Sequence, residues 1–121
     1  MKQEEGGPPL VSVLDRPYWE GVREGKLLFQ RCSDCGKPQF FPRPLCCHCW
    51  GANLTWEESQ GKGRIYSFTF VWTPRHKGYR KRIEETGQAI AFAEVTMDEG
   101  FSLFGVILDC PPQEIEIGKQ V

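Results

Sequence analysis

No stretch of this chain approaches the length of a membrane-spanning helix, which argues against an integral helical membrane protein. Basic residues are not in excess. Fifteen Lys and Arg stand against sixteen Asp and Glu, a formal net charge of −1, so a binder that works mainly through phosphate contacts is disfavoured. Histidine is scarce. His48 and His76 are the only two, and neither lies near a serine or aspartate in a triad pattern. There is no G-x-S-x-G elbow, no G-x-G-x-x-G after a strand and no Walker loop. No internal repeat occurs. Met1 leads into a polar segment containing Gly and Pro, which does not read as a secretory leader. These absences point to a soluble cytoplasmic protein without a catalytic constellation of its own.

What the chain does have is cysteine in a pattern. Cys32-Ser33-Asp34-Cys35 and Cys46-Cys47-His48-Cys49 form two CxxC pairs separated by ten residues. Two CxxC turns folded face to face offer four thiolates to one tetrahedral ion. Gly36 and Gly51 follow the two pairs and suit turns whose amides point at sulfur. The spacing predicts a structural zinc site with ligands Cys32, Cys35, Cys46 and Cys49, and iron in a rubredoxin-like centre uses the same geometry. Cys47 and His48 are expected to point outward. Paired disulfides need an oxidising compartment, and a redox CxxC needs a βαβ setting that neither pair has. Cys110, beside Pro111-Pro112, reads as a small buried residue rather than a ligand or nucleophile.

Hydrophobic content of 40% with eight Phe and four Trp supports a modest core. A flexible arm is expected over residues 1–15, where Gly6-Gly7-Pro8-Pro9 precedes the apolar Leu10–Leu14. Asp15 as N-cap, Pro17 in the first turn and Gly25 as a stop predict a helix over about 16–24. A strand, Lys26–Arg31, enters the first knuckle, and Gln39-Phe40-Phe41 returns. Beyond residue 54 the chain is β-rich. Arg64–Thr73 alternates, with Tyr66, Phe68, Phe70 and Trp72 on one face and Ile65, Ser67, Thr69 and Val71 on the other. Gln88–Met97 and Phe101–Leu108 form a hairpin around Asp98-Glu99-Gly100. Ile115 and Ile117 alternate towards a last strand at Val121, which must be very short unless a partner covers that edge. Short strands at close spacing predict a small barrel or sandwich.

The stretches YWEGVREGKL, LLFQRC, CSDCG, FFPRPLC, CCHCW, GKGRIYSFTFVW and AFAEVTMDEGFSLFGVILDC together resemble a known family over roughly residues 16–121. It is that of acyl-CoA-associated OB-fold proteins carrying a rubredoxin-like zinc ribbon. The resemblance implies a mainly β chain: an N-terminal helix and four-cysteine ribbon over 16–53, then a small OB-fold barrel over 54–121. It also implies a partner role beside a thiolase-like catalytic subunit, in thiolytic or retro-aldol cleavage, or hydration, of acyl-CoA substrates. Four departures stand out. Cys47-His48 replaces the usual Pro-x between the second ligands, and Trp50-Gly51 stands where Gly-Ser is frequent. Gln88-Ala89 replaces Pro-Tyr, and the segment 73–87 is longer than usual.

That segment reads as a long basic loop, TPRHKGYRKRIEETG. Arg75, Lys77, Arg80, Lys81 and Arg82 outnumber Glu84 and Glu85, leaving an excess of three positive charges. Coenzyme A carries a 3′-phosphate and a diphosphate that suit Lys and Arg. A solvated charge run and an electrostatic guide to an acidic partner rim fit the same residues. Two further functions compete with the accessory-subunit reading. One is a single-strand nucleic-acid module with Tyr66, Phe68, Phe70 and Trp72 as platform. The other is a free-standing acyl-CoA carrier. In the accessory reading, exposed Trp19, Trp50 or Trp72 would anchor the partner.

Overall fold

A computed structural model describes residues 10–121. The Gly/Pro part of the expected arm lies outside the described residues, as does the rest of 1–9. Helix α1 spans Arg16–Arg23 and starts with Pro17 in its first turn. Asp15 does not cap it through its side chain. Its carboxylate instead accepts from the amide and hydroxyl of Ser12 at 2.7 and 2.8 Å and from the Trp19 indole at 3.2 Å. Tyr18 sets its ring against Phe40 and Phe41 at 5.5 and 5.4 Å. Gly21 is buried so close to Leu28 that a Cβ would stand 2.8 Å from its side chain.

Strand β1 (Leu28–Cys32) is flanked by β2 (Pro38–Gln39) and β3 (Leu54–Glu58), both antiparallel to it. The second sheet orders β4 (Gly63–Val71), β5 (Ile90–Met97) and β6 (Ser102–Ile107) as an antiparallel meander. The core joins the two sheets. Phe29 of β1 stacks on Phe101 with ring centres 4.7 Å apart, among Ile65, Ala93, Val95 and Met97. The short last strand lies on the outer edge of β4: Val121 and Gly63 exchange backbone hydrogen bonds of 3.0 and 3.1 Å. No helix among the described residues is long and apolar enough to cross a membrane.

Two sequence expectations are corrected. The alternation of β4 breaks at Tyr66, where the register with β5 shifts between Ile65 and Ser67. The bulge adds a residue on one strand and reverses the faces beyond it. Ile65 and Phe68 therefore both turn inward, and Tyr66 at the bulge is exposed; Phe70 and Trp72 follow on the face of Phe68 but extend past the core and are exposed. The segment 73–87 is not a loop. Lys77–Thr86 form helix α2, with His76 Nδ1 accepting from the Gly78 amide at 3.2 Å and Gly87 closing it at φ 68°. Arg, Lys and Glu are good helix formers, and Tyr79 and Ile83, one turn apart, are its half-buried residues.

Candidate metal centre

The two CxxC turns are copies of one another. Gly36 N donates to Cys32 O at 2.8 Å, and Trp50 N donates to Cys46 O at 2.9 Å. Cys32 N donates to Lys37 O, and Cys46 N to Gly51 O. Gly36 has φ 75° and Trp50, its counterpart, φ 65°. The freedom expected of Gly51 is thus demanded of Trp50, at about 1–2 kcal/mol for a residue with a Cβ. Gly51 is needed for space: a Cβ there would lie 2.6 Å from Asp34 Oδ2 and 3.3 Å from Cys49 Sγ.

Between the turns, the sulfurs of Cys32, Cys35, Cys46 and Cys49 lie within 4.8 Å of one another. Cys32 to Cys49 and Cys35 to Cys46 are each 3.6 Å. A tetrahedron of sulfurs about 2.3 Å from a central ion has edges of about 3.8 Å, whereas a disulfide closes to about 2.05 Å. The His48 amide donates to Cys46 Sγ at 3.3 Å. Burial opposes the Cys46 thiolate, but the Cys49 and His48 amides and the neighbouring sulfurs outweigh it and bring its pKa down to about 6. The Gly51 amide favours the Cys49 thiolate, yet Cys32, burial, Cys46 and Cys35 push it up to about 12. All four sulfurs could be thiolates at this spacing only with a cation among them. The donor set fits a structural metal, and four cysteines close it against substrate or water.

Cys47 is exposed and outside the cluster, and the His48 ring approaches Pro38 O at 3.2 Å. Cys110 is half-buried, its Sγ 3.6 Å from Pro111 O. The second knuckle is held by a feature that sequence reading missed. Gln39 Nε2 donates to Gln30 Oε1 at 2.8 Å and to Leu45 O at 3.2 Å. Its Oε1 accepts from the Cys47 amide at 2.8 Å. Gln30 takes the Arg43 amide at 2.9 Å and gives to Arg43 O at 3.1 Å. Both glutamines are buried. A Gln on each of two adjacent strands entering the ribbon was the available signal. Arg31 steadies the first knuckle through Gly36 O and Glu57, both at 2.9 Å.

The five basic residues of 73–87 do not converge. Arg75 and Arg80 line one cleft with Trp72. Arg82 lines a separate crevice with Thr86 and Ile115. Lys81 reaches Glu85 at 3.7 Å. Lys77 begins α2 and does not line the Arg75–Arg80 cleft.

Residues 19–55 match the family description "ChsH2, rubredoxin-like zinc ribbon domain", and residues 56–121 match "ChsH2, C-terminal OB-fold domain". The chain belongs to the ChsH2/DUF35 family. Among the relatives of this ChsH2/DUF35 chain, a DUF35 domain-containing scaffold protein of Methanocaldococcus jannaschii is 31% identical over 85% of the chain and 70% of its own length. A probable enoyl-CoA hydratase alpha subunit of Thermomonospora curvata is 31% identical over 88% of the chain, which spans only 32% of that longer protein. The solved structure of an Ltp2-ChsH2(DUF35) aldolase superposes with TM-score 0.77 at 26% identity, covering 93% of this chain and 84% of that one. The fold is therefore a zinc ribbon joined to an OB-fold domain.

Proposed function

We propose that this chain is a non-catalytic, zinc-binding partner subunit of a thiolase-type acyl-CoA enzyme. It supports assembly and one wall of the acyl-CoA channel during thiolytic or retro-aldol carbon–carbon cleavage. Zinc, when bound, fixes the ribbon and supplies no chemistry to substrate. The observation that carries the reading is Trp50. It stands in a glycine conformation with 78% of its surface exposed, beside Leu45 and Pro44 on an apolar cleft of about 380 Å³. Strain and exposure together are a cost that a free-standing carrier has no reason to bear, whereas an aromatic anchor filling a partner's pocket offsets both. Relatives that are scaffold proteins or part of an aldolase support the same reading.

Exposed Tyr66, Phe70 and Trp72 favour a second reading, a single-strand platform. The net charge of −1 argues against it.

Co-expression with a thiolase-type subunit from the same genome, followed by size-exclusion chromatography, tests the proposal. A defined hetero-oligomer that Trp50→Ala disperses is the expected result. A monomer with no affinity for such a subunit overturns it.

A further inference from the structure

We propose that the cleft between the end of β4 and helix α2 binds the phosphorylated adenosine end of a ligand, with Trp72 stacking the base and Arg75 and Arg80 holding phosphate. Naming coenzyme A as the source rests on the acyl-CoA reading above; the site itself rests on three observations.

The first is the aromatic wall. Trp72 follows directly on β4 and is 61% exposed. The buried Pro74 two residues on fixes where the chain turns towards α2. A large indole left in water at a fixed backbone position offers a flat face for a base, and such stacking contributes about 1–3 kcal/mol.

The second is charge placed on that wall. Arg75 and Arg80 line the same cleft of about 400 Å³, a size that suits a small organic ligand. Among the described residues their guanidinium groups make no hydrogen bond or ion pair, whereas Lys81 is engaged by Glu85. Guanidinium forks match phosphate oxygens two at a time. Glu84 shares the cleft one turn beyond Arg80. Its carboxylate repels phosphate from that end and can accept from a ribose hydroxyl or an exocyclic amine, which gives the ligand a direction.

The third is continuity. Trp72 also walls a second cleft of about 290 Å³, with Phe70, Ala89, Pro112, Gln88 and Gln113. An apolar path with amide partners suits a flexible arm containing amide groups, such as the one joining the coenzyme's nucleotide to its thioester.

The test is titration of the zinc-loaded full chain, and of its hetero-oligomer, with coenzyme A, adenosine 3′,5′-bisphosphate and ADP. Calorimetry and tryptophan quenching are the readouts. Saturable binding is expected, weakened about tenfold or more by Trp72→Ala and by Arg75→Ala/Arg80→Ala, and unchanged by Lys62→Ala. Tighter binding of coenzyme A than of ADP assigns the acyl carrier as source, whereas equal binding assigns a free adenine nucleotide. No saturable binding to either sample overturns the proposal, as does binding indifferent to Trp72. Preferential, Trp72-dependent binding of an oligonucleotide overturns it too, and makes the cleft part of a nucleic-acid platform. Loss of assembly in Trp72→Ala makes Trp72 a partner anchor instead. An intact hetero-oligomer with no nucleotide effect removes this site and leaves the subunit reading standing; failure to assemble removes that reading without touching the free chain's titration.

Discussion

The side-chain amide of Gln39 donates to Gln30 across 2.8 Å, and together the two glutamines hold the backbone of residues 43–47 on the β1–β2 hairpin. The second CxxC turn thus hangs from a buried polar clamp beside the four-sulfur cluster. Gln39→Ala leaves the Cys47 amide and Leu45 carbonyl without their partner. A loss of about 1–3 kcal/mol is expected, with faster zinc release. Denaturant unfolding and release to a colorimetric chelator measure the two effects, and unchanged release would show that the clamp does not hold the knuckle.

The metal prediction separates ligands from neighbours. Cys32→Ser or Cys46→Ser should unfold the ribbon, because metal binding in such small modules supplies on the order of 10 kcal/mol. Cys47→Ser should be tolerated, since its thiol lies outside the cluster. Zinc content per chain by elemental analysis checks both, and a chain purified gently with neither zinc nor iron contradicts the assignment.

Trp50 sets stability against assembly. Trp50→Gly relieves a left-handed backbone and should raise the ribbon's stability by about 1 kcal/mol. The same substitution removes the proposed anchor and should weaken partner binding by about tenfold or more. A variant that is more stable yet assembles normally would show that Trp50 is strained but does not anchor the partner.

Glu99 makes a pH prediction. Its carboxylate accepts from Ser59 Oγ at 3.0 Å and the Gln60 amide at 2.7 Å, tying the entry to β4 to the β5–β6 turn. Burial raises its pKa, but the Gln60 and Glu99 amides, the Ser59 hydroxyl and Arg31 outweigh that, and the pKa falls below its ordinary 4.5. A lowered folded pKa stabilises above the ordinary value and ceases to do so as pH falls through the folded one. Wild type should lose stability relative to Glu99→Gln below about pH 4.5. Melting temperatures of the pair from pH 3 to 7 check this, with the difference cancelling the acid sensitivity of the metal ligands common to both.

Much of this was legible in the sequence because it depends on local chemistry. The CxxC spacing announced the four-sulfur cluster, Pro17 and Gly25 bracketed α1, and Asp98–Gly100 marked the β5–β6 turn. What escaped depends on tertiary context. The Tyr66 bulge leaves no trace in an alternating run, so Tyr66 reads as sharing a face with Phe68 yet points outward, while Phe70 and Trp72 keep the face of Phe68 but extend beyond the core. Helix α2 has only Tyr79 and Ile83 as an apolar stripe, so its charges read as a loop. Nothing local marks Trp50 as the counterpart of Gly36 until the two knuckles are laid over one another. Buried glutamines look like ordinary strand residues until their partners, up to thirteen residues away, are in place.

The most direct measurement is turnover of an acyl-CoA by three samples: the thiolase-type subunit alone, this chain alone, and the two purified as a complex. Cleavage confined to, or strongly enhanced in, the complex is the predicted result, with this chain alone inactive. Turnover by the isolated chain, or equal activity of the catalytic subunit with and without it, would contradict the account.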